Sequence, residues 1–326
     1  LSQLHQSILS HLHLHQNNTH IYFHLTPYIH FDQYPQFLHY YNVLKNHKIK
    51  EIKMKLGISS CLNHSSATEW ADKMVALGLE CVNFPINCDA GAEKISAYKK
   101  AADDAGLLIA EVGIWKNTLD ADLSERKKWI DYSVGQLQMA DDIGAICAVN
   151  VVGTPYGPRW DGGYKENFSD ECWQMAIKMI QQIIDTAKPK NAKFSIESMP
   201  WMIPSSPDEY VKMINDVNRE EFGAHLDVVN MITSPQRYFY NSDFLRECFT
   251  KLKGKICSCH LKDVVLKPEF TFQLEETACG KGILDIELFA ELATKENQNM
   301  PMIIEHLTTD QEYIESVKYV QKRLGL

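Results

Sequence analysis

The sequence predicts a single (β/α)8 barrel of the TIM-barrel class, with parallel strands, and three observations predict it. From Met54 onward, short apolar runs alternate eight times with longer stretches of helical periodicity. The short runs are apolar almost throughout, as strands covered on both faces must be. From Met54 to Leu326 the chain holds 273 residues, close to the roughly 250 typical of one such barrel. A doubly wound sheet is the main competitor. It would place Gly-x-Gly-x-x-Gly after the first strand, where Ile58-Ser-Ser-Cys-Leu-Asn63 stands instead.

The strands expected, in order, are Lys55–Ile58, Glu80–Phe84, Leu107–Val112, Ala145–Val152, Lys193–Glu197, Phe222–Asp227, Lys255–His260 and Met302–Glu305. Val, Ile, Leu and Cys dominate them. Between them lie amphipathic helices. Cys172, Met175, Met179, Ile180, Ile183 and Ile184 mark one face of the helix after the fourth strand. Tyr313, Ile314, Val317, Val320 and Leu324 do the same at the C-terminus. Ser66 with Glu69, Ser206 with Glu209 and Thr309 with Glu312 fit capping boxes, and Pro207 fits a first helical position. No Pro- or Ser-rich linker divides the chain, which favours one domain.

The first 53 residues read differently. Nine of the thirteen His lie between His5 and His47, and this stretch has no Gly, Ala, Cys, Met, Arg or Trp. Such a composition is foreign to a folded domain. The expectation is a non-native or disordered His-rich extension over 1–53, with the barrel over 54–326; a metal-binding tail is the sharper alternative. Setting it aside removes four Lys, one Asp and one Glu and takes the formal charge from -9 to -11. An acidic chain argues against a broad nucleic-acid or membrane surface, and no run approaches the ~18 apolar residues of a membrane span. Nine Cys, an odd number, read as reduced thiols of a cytoplasmic protein.

The informative pattern lies at the strand ends. Glu197 closes the fifth expected strand, Asp227 the sixth, His260 the seventh and Glu305 the eighth. In a barrel these side chains converge at one mouth although distant in sequence. A single polar strand-end residue is usually a hydrogen-bonded core residue. Four at the same end, three of them carboxylates, would repel one another unless a cation lay between them. Two Glu, one Asp and one His suit one divalent ion, Mn²⁺ first, with Mg²⁺, Co²⁺ or a catalytic Zn²⁺ as alternatives.

The motifs Ile196-Glu197-Ser198, His225-Leu-Asp227, His260-Leu-Lys-Asp263 and Ile304-Glu305-His306 together resemble the xylose isomerase-like TIM-barrel superfamily. Gly280-Lys-Gly-Ile-Leu-Asp285 is similar to the segment before its seventh helix. Within the superfamily the sequence looks most like the sugar phosphate isomerase/epimerase type, which includes ketose 3-epimerases and inosose dehydratases. The resemblance implies that Glu197, Asp227, His260 and Glu305 bind one divalent ion. It implies further that Glu197 and Glu305 are the acid/base pair of a sugar or polyol isomerase or epimerase working through a metal-stabilised enediolate. The partner implied is a small-molecule sugar or polyol, and a homo-oligomer is expected by analogy. Ketose 3-epimerases carry a second His where Asn230 stands here, and an Arg where Leu266 stands. Lys262 and Asp263 instead match the His-x-Lys-Asp pattern of dehydratase-like members.

Lys262 shares the strand side of His260 and could orient Glu305 or protonate a leaving hydroxyl; the bland alternative is a solvated lysine. Substrate-facing candidates are Glu111, Trp115, Asn150, His225, Asn230 and Asp263, with Trp160 and Trp201 as softer ones in long loops. The loop Thr154–Gly163, rich in Gly and Pro, suits a lid or a subunit contact, and Lys281 between two glycines is a weak phosphate signal. The competing activity is a metal-dependent lyase or dehydratase of a keto-sugar or inosose, with Lys262 or His225 as its acid. An apurinic endonuclease IV-like repair enzyme would need further His ligands that this chain lacks. A catalytically silent sugar-binding barrel is the remaining reading.

Overall fold

The computed structural model describes residues 52–326, so the His-rich extension expected over 1–53 lies, but for its last two residues, outside the described residues. Eight parallel strands form one sheet: β1 (Lys55–Ile58), β2 (Cys81–Asn83), β3 (Leu108–Gly113), β4 (Cys147–Asn150), β5 (Lys193–Glu197), β6 (Phe222–Asp227), β7 (Ile256–Leu261) and β10 (Pro301–Ile304). Their order in the sheet is β1-β10-β7-β6-β5-β4-β3-β2. The Glu80 amide donates to the Leu56 carbonyl at 3.0 Å, joining the two ends, so the ring is nearly closed. The predicted strands are all present. The fourth is trimmed by two residues at each end, because Val151 and Val152 already belong to the loop over the mouth.

Helices follow every barrel strand: α1 (Ala67–Ala76), α2 (Ala92–Asp104), α3 (Leu123–Ile143), α4 (Asp170–Ala187), α5 (Pro207–Val217), the pair α6 (Pro235–Phe239) and α7 (Asn241–Lys251), α8 (Ile286–Glu296) and α9 (Asp310–Leu324). They bury an apolar layer against the outside of the sheet, with Trp70, Tyr210, Phe194 and Phe289 its largest fully covered side chains. All three predicted caps form, but only Thr309 and Glu312 make the reciprocal box. Glu69 and Glu209 reach one residue further back, to the amides and hydroxyls of Ser65 (2.8 and 2.6 Å) and Ser205 (2.7 and 3.0 Å). A serine one position before the cap offers two donors where the cap residue's backbone offers one.

One element is absent from the sequence reading. After β7 the chain leaves the barrel and forms an antiparallel hairpin, β8 (Asp263–Leu266) with β9 (Leu274–Thr277). Asp263, buried at its root, accepts four backbone amides: Val264 and Leu284 at 2.9 Å, and Gly280 and Gly282 at 3.0 Å. This accounts for the Gly-Lys-Gly motif. Gly280 has φ +87°, and a Cβ on Gly282 would lie 2.2 Å from the Val264 carbonyl and 2.3 Å from Asp263 Oδ1. A Gly282→Ala chain should therefore lose about 1–3 kcal/mol of stability, the usual range for overpacking, read as a lowered urea midpoint with an unchanged slope.

Candidate metal centre

The sheet register brings the strand-end residues together. On β6, Asp227 pairs with His260 of β7, and His260 pairs in turn with Ile303 of β10, two residues before Glu305. Glu197 pairs with His225, two residues before Asp227. Each of these offsets is even, so the side chains share the inner face. Donor atoms of Glu197, Asp227, His260 and Glu305 consequently lie within 4.8 Å of one another, and all four residues are buried. His260 Nδ1 stands 3.1 Å from Glu197 Oε1 and 2.7 Å from Glu305 Oε2. The Tyr210 hydroxyl underpins this wall, lying against the carbonyls of Ile196 and His225.

At about 4.8 Å and an effective dielectric of about 20, each like-charged carboxylate pair costs about 3.5 kcal/mol. Such a cluster needs compensating charge. Lys262, only 1 % exposed, supplies some of it: its ammonium is 2.7 Å from Asp227 and 2.8 Å from Glu305. The solvated-lysine reading is thereby excluded. The compensation is uneven. Burial would raise Glu305, but His260 and Lys262 hold its carboxyl well below the usual range. Burial pushes Asp227 well up, Lys262 opposing it and Glu305 and Glu197 adding to it. Asp227 Oδ2 takes no directed hydrogen bond despite the nearby ammonium. Three carboxylates and one imidazole, with a single ammonium among them, fit a hard or borderline divalent cation.

Around the cluster, Asn230 is buried and donates from Nδ2 to Glu197 Oε1 (3.2 Å) and to the Ser198 carbonyl (3.0 Å). Glu111, on β3, places Oε1 3.2 Å from His260 Nε2, the nitrogen facing away from the other carboxylates. A ligand imidazole is commonly oriented by such a carboxylate. His225 is wholly buried beside the His260 ring, with centroids 4.0 Å apart. Burial and that neighbour push it down to about 3, leaving a neutral ring. Trp115 tilts over the same site, its ring 6.4 Å from that of His260.

Two of the expected substrate contacts are occupied with the protein itself. Asn150 uses both ends of its amide on the Lys116 backbone, at 3.1 and 3.0 Å, and so holds the loop that carries Trp115. Asp263 is saturated by the four amides described above. In the Thr154–Gly163 region Trp201 Nε1 donates to the Asp161 carbonyl (2.7 Å), so that indole pins the loop. Lys281 is exposed on its turn.

Sequence reasoning missed Glu276 and gave no role to His306. Glu276, on β9, lies 3.1 Å from Lys262 and 2.6 Å from His306, linking the hairpin to the site. Glu276 sits in a polar run with no strand-like periodicity, so nothing in its neighbourhood marks it. All nine cysteines are free thiols, and no helix among the described residues is long and apolar enough to cross a membrane.

No curated protein sequence matches this chain. Several solved structures share its fold. A xylose isomerase-like TIM barrel protein from Mycobacterium smegmatis, in complex with magnesium, aligns with a TM-score of 0.60 at 15% identity, over 85% of this chain and 98% of that one. D-psicose 3-epimerase from Clostridium cellulolyticum H10, with D-tagatose, aligns at 0.62 and 11% over 83% and 98%. A probable 3-DHS dehydratase involved in petrobactin synthesis from Bacillus anthracis aligns at 0.62 and 15% over 84% and 98%. The model of the xylose isomerase-like TIM barrel family matches residues 71–323, and the chain belongs to that family.

Proposed function

We propose that the protein is a divalent-metal-dependent isomerase or epimerase of a small sugar or polyol. The observation that carries this reading is the convergence of Glu197, Asp227, His260 and Glu305 donors within 4.8 Å at the mouth of the barrel. These four residues would hold the ion, with Mn²⁺ the first expectation. When bound, the ion supplies positive charge that polarises a substrate carbonyl and acidifies the neighbouring C–H. Glu197 and Glu305 reach His260 Nδ1 from different strands, β5 and the end of β10. From these positions one carboxylate removes the substrate proton and the other returns a proton to the opposite face. Asp227 and His260 act as ligands, and Asn230 fixes the Glu197 carboxylate. Trp115 offers a flat apolar surface for the sugar C–H face, and a cytoplasmic setting agrees with nine free thiols.

A lyase reading is kept because one observation favours it. The Lys262 ammonium is buried 2.8 Å from Glu305, placed to hand a proton to a departing β-hydroxyl once the α-proton is gone. The two activities part company in proton NMR of metal-reconstituted protein in D₂O with keto-sugars, inososes and 3-keto-glycosides. Deuterium entering an intact skeleton supports isomerisation; a new enone or keto signal with loss of the carbinol C–H resonance supports elimination; neither, across the panel, refutes both.

Two substitutions sharpen the reading. Glu305→Gln removes a proton carrier and should lower the rate of substrate deuterium exchange by about 10²–10⁴-fold, measured at saturating metal. Glu111→Gln, which replaces the carboxylate facing the far nitrogen of His260, should weaken divalent-ion affinity by about 10–100-fold in a calorimetric titration.

A further inference from the structure

We infer that the barrel carries a second cation site, beneath the first and built from Glu111, Cys147 and His225, that takes a thiophilic divalent ion of the Zn²⁺ class. Glu111 and Cys147 are register partners on β3 and β4, and His225 projects inward from β6. Their ligand atoms lie within 4.8 Å of one another, and all three residues are buried. The two oxygens of Glu111 divide between the centres. Oε1 faces His260 at 3.2 Å, whereas Oε2 lies 3.6 Å from His225 Nδ1 and 3.4 Å from Ser258 Oγ.

An independent observation points to a ligand there. Neither nitrogen of His225 has a hydrogen-bond partner, although the side chain is fully covered. An imidazole with both nitrogens orphaned has forfeited the bonds it made in water, and native interiors rarely leave such a group unused. The Cys147 thiol reaches the Ala110 carbonyl at only 3.7 Å, with the Cys257 thiol and the Ser195 hydroxyl as its other neighbours.

One sulfur, one nitrogen and one carboxylate form a softer set than the oxygen-rich cluster above it. They suit an ion that favours thiolate and imidazole, while three carboxylates and one imidazole suit Mn²⁺ or Mg²⁺. The 3.6 Å separation of His225 Nδ1 and Glu111 Oε2 matches the spacing set by bonds of about 2.0–2.3 Å, and no two ligand atoms of the three are further apart than 4.8 Å. On binding, the ion–sulfur bond forms as the S–H bond breaks, the proton leaves to solvent, and no oxidation state changes. The rival occupant is a buried water bridging His225 and Glu111.

The test uses the full chain, freed of metal, loaded with Mn²⁺ to occupy the first centre and then titrated with Co²⁺. The expected result is a thiolate-to-cobalt charge-transfer absorption saturating at one equivalent. The segment from His5 to His47 contains no Cys, so Co²⁺ bound there adds nothing to that signal. Cys147→Ser should abolish the absorption and lower bound Zn²⁺ by one equivalent, leaving Mn²⁺ binding intact. His225→Gln should likewise abolish the absorption, which keeps the inference exposed if the serine variant fails to fold. Absence of the absorption in the unmodified chain, or its survival in Cys147→Ser, overturns the second site and leaves the proposed reaction untouched, since Mn²⁺ occupancy is measured separately.

Discussion

The repulsion among Glu197, Asp227 and Glu305 organises much of what surrounds them. Carboxylates gathered within 4.8 Å in a buried wall are stable only where positive charge or aimed donors answer them. The barrel supplies those answers from separate elements. Lys262 leaves β7 to meet Asp227 and Glu305, His260 stands between Glu197 and Glu305, and Asn230 donates to Glu197 from the turn after β6. The same parallel register that makes the cluster costly also makes it accurate, because Glu197, Asp227 and His260 are fixed on strands and Glu305 follows directly on β10.

The hairpin becomes intelligible on these terms. A buried ammonium facing two carboxylates still has donor capacity to fill, and Glu276 from β9 accepts from it. Asp263, the next residue, anchors the hairpin root through four amides, so Lys262 and Glu276 are held side by side at the base of one braced unit. The Gly-Lys-Gly turn, a weak phosphate signal on its own, is thus spent on letting backbone approach a carboxylate. Its tight contacts at Gly282 leave no room for a side chain.

How much of this was legible follows from what sets each feature. Strands covered on both faces announce themselves as apolar runs, and a Glu, Asp or His at the end of such a run stands out against it. The barrel and the four-residue centre were therefore readable. Asn150 and Asp263 carried the same mark, yet the mouth of a barrel must satisfy loop amides and carbonyls as well as a ligand. Sequence position does not separate those duties. The β8–β9 hairpin was invisible because Leu266-Lys-Pro-Glu-Phe-Thr-Phe272 has turn chemistry without sustained alternation. Glu276 gained its importance only once that hairpin folded back. Glu111 reads in the sequence as a substrate-facing candidate near a strand end; its partner, His260 on the opposite side of the barrel, is 149 residues away, and no local pattern encodes such a pairing.

The departures from the ketose 3-epimerase pattern acquire a physical meaning in the same way. Position 230, an Asn, turns its amide onto Glu197 and the Ser198 carbonyl. Position 266, a Leu, lies on the hairpin with its amide donating to the Tyr238 hydroxyl at 3.0 Å. Neither offers the imidazole or guanidinium that would grip a substrate hydroxyl. The cationic group instead sits deeper, as Lys262, and acts on the carboxylates themselves. On the proposed reading, substrate selection leans on shape and on the Trp115 face, with no charged side chain at position 230 or 266 to grip a distal hydroxyl.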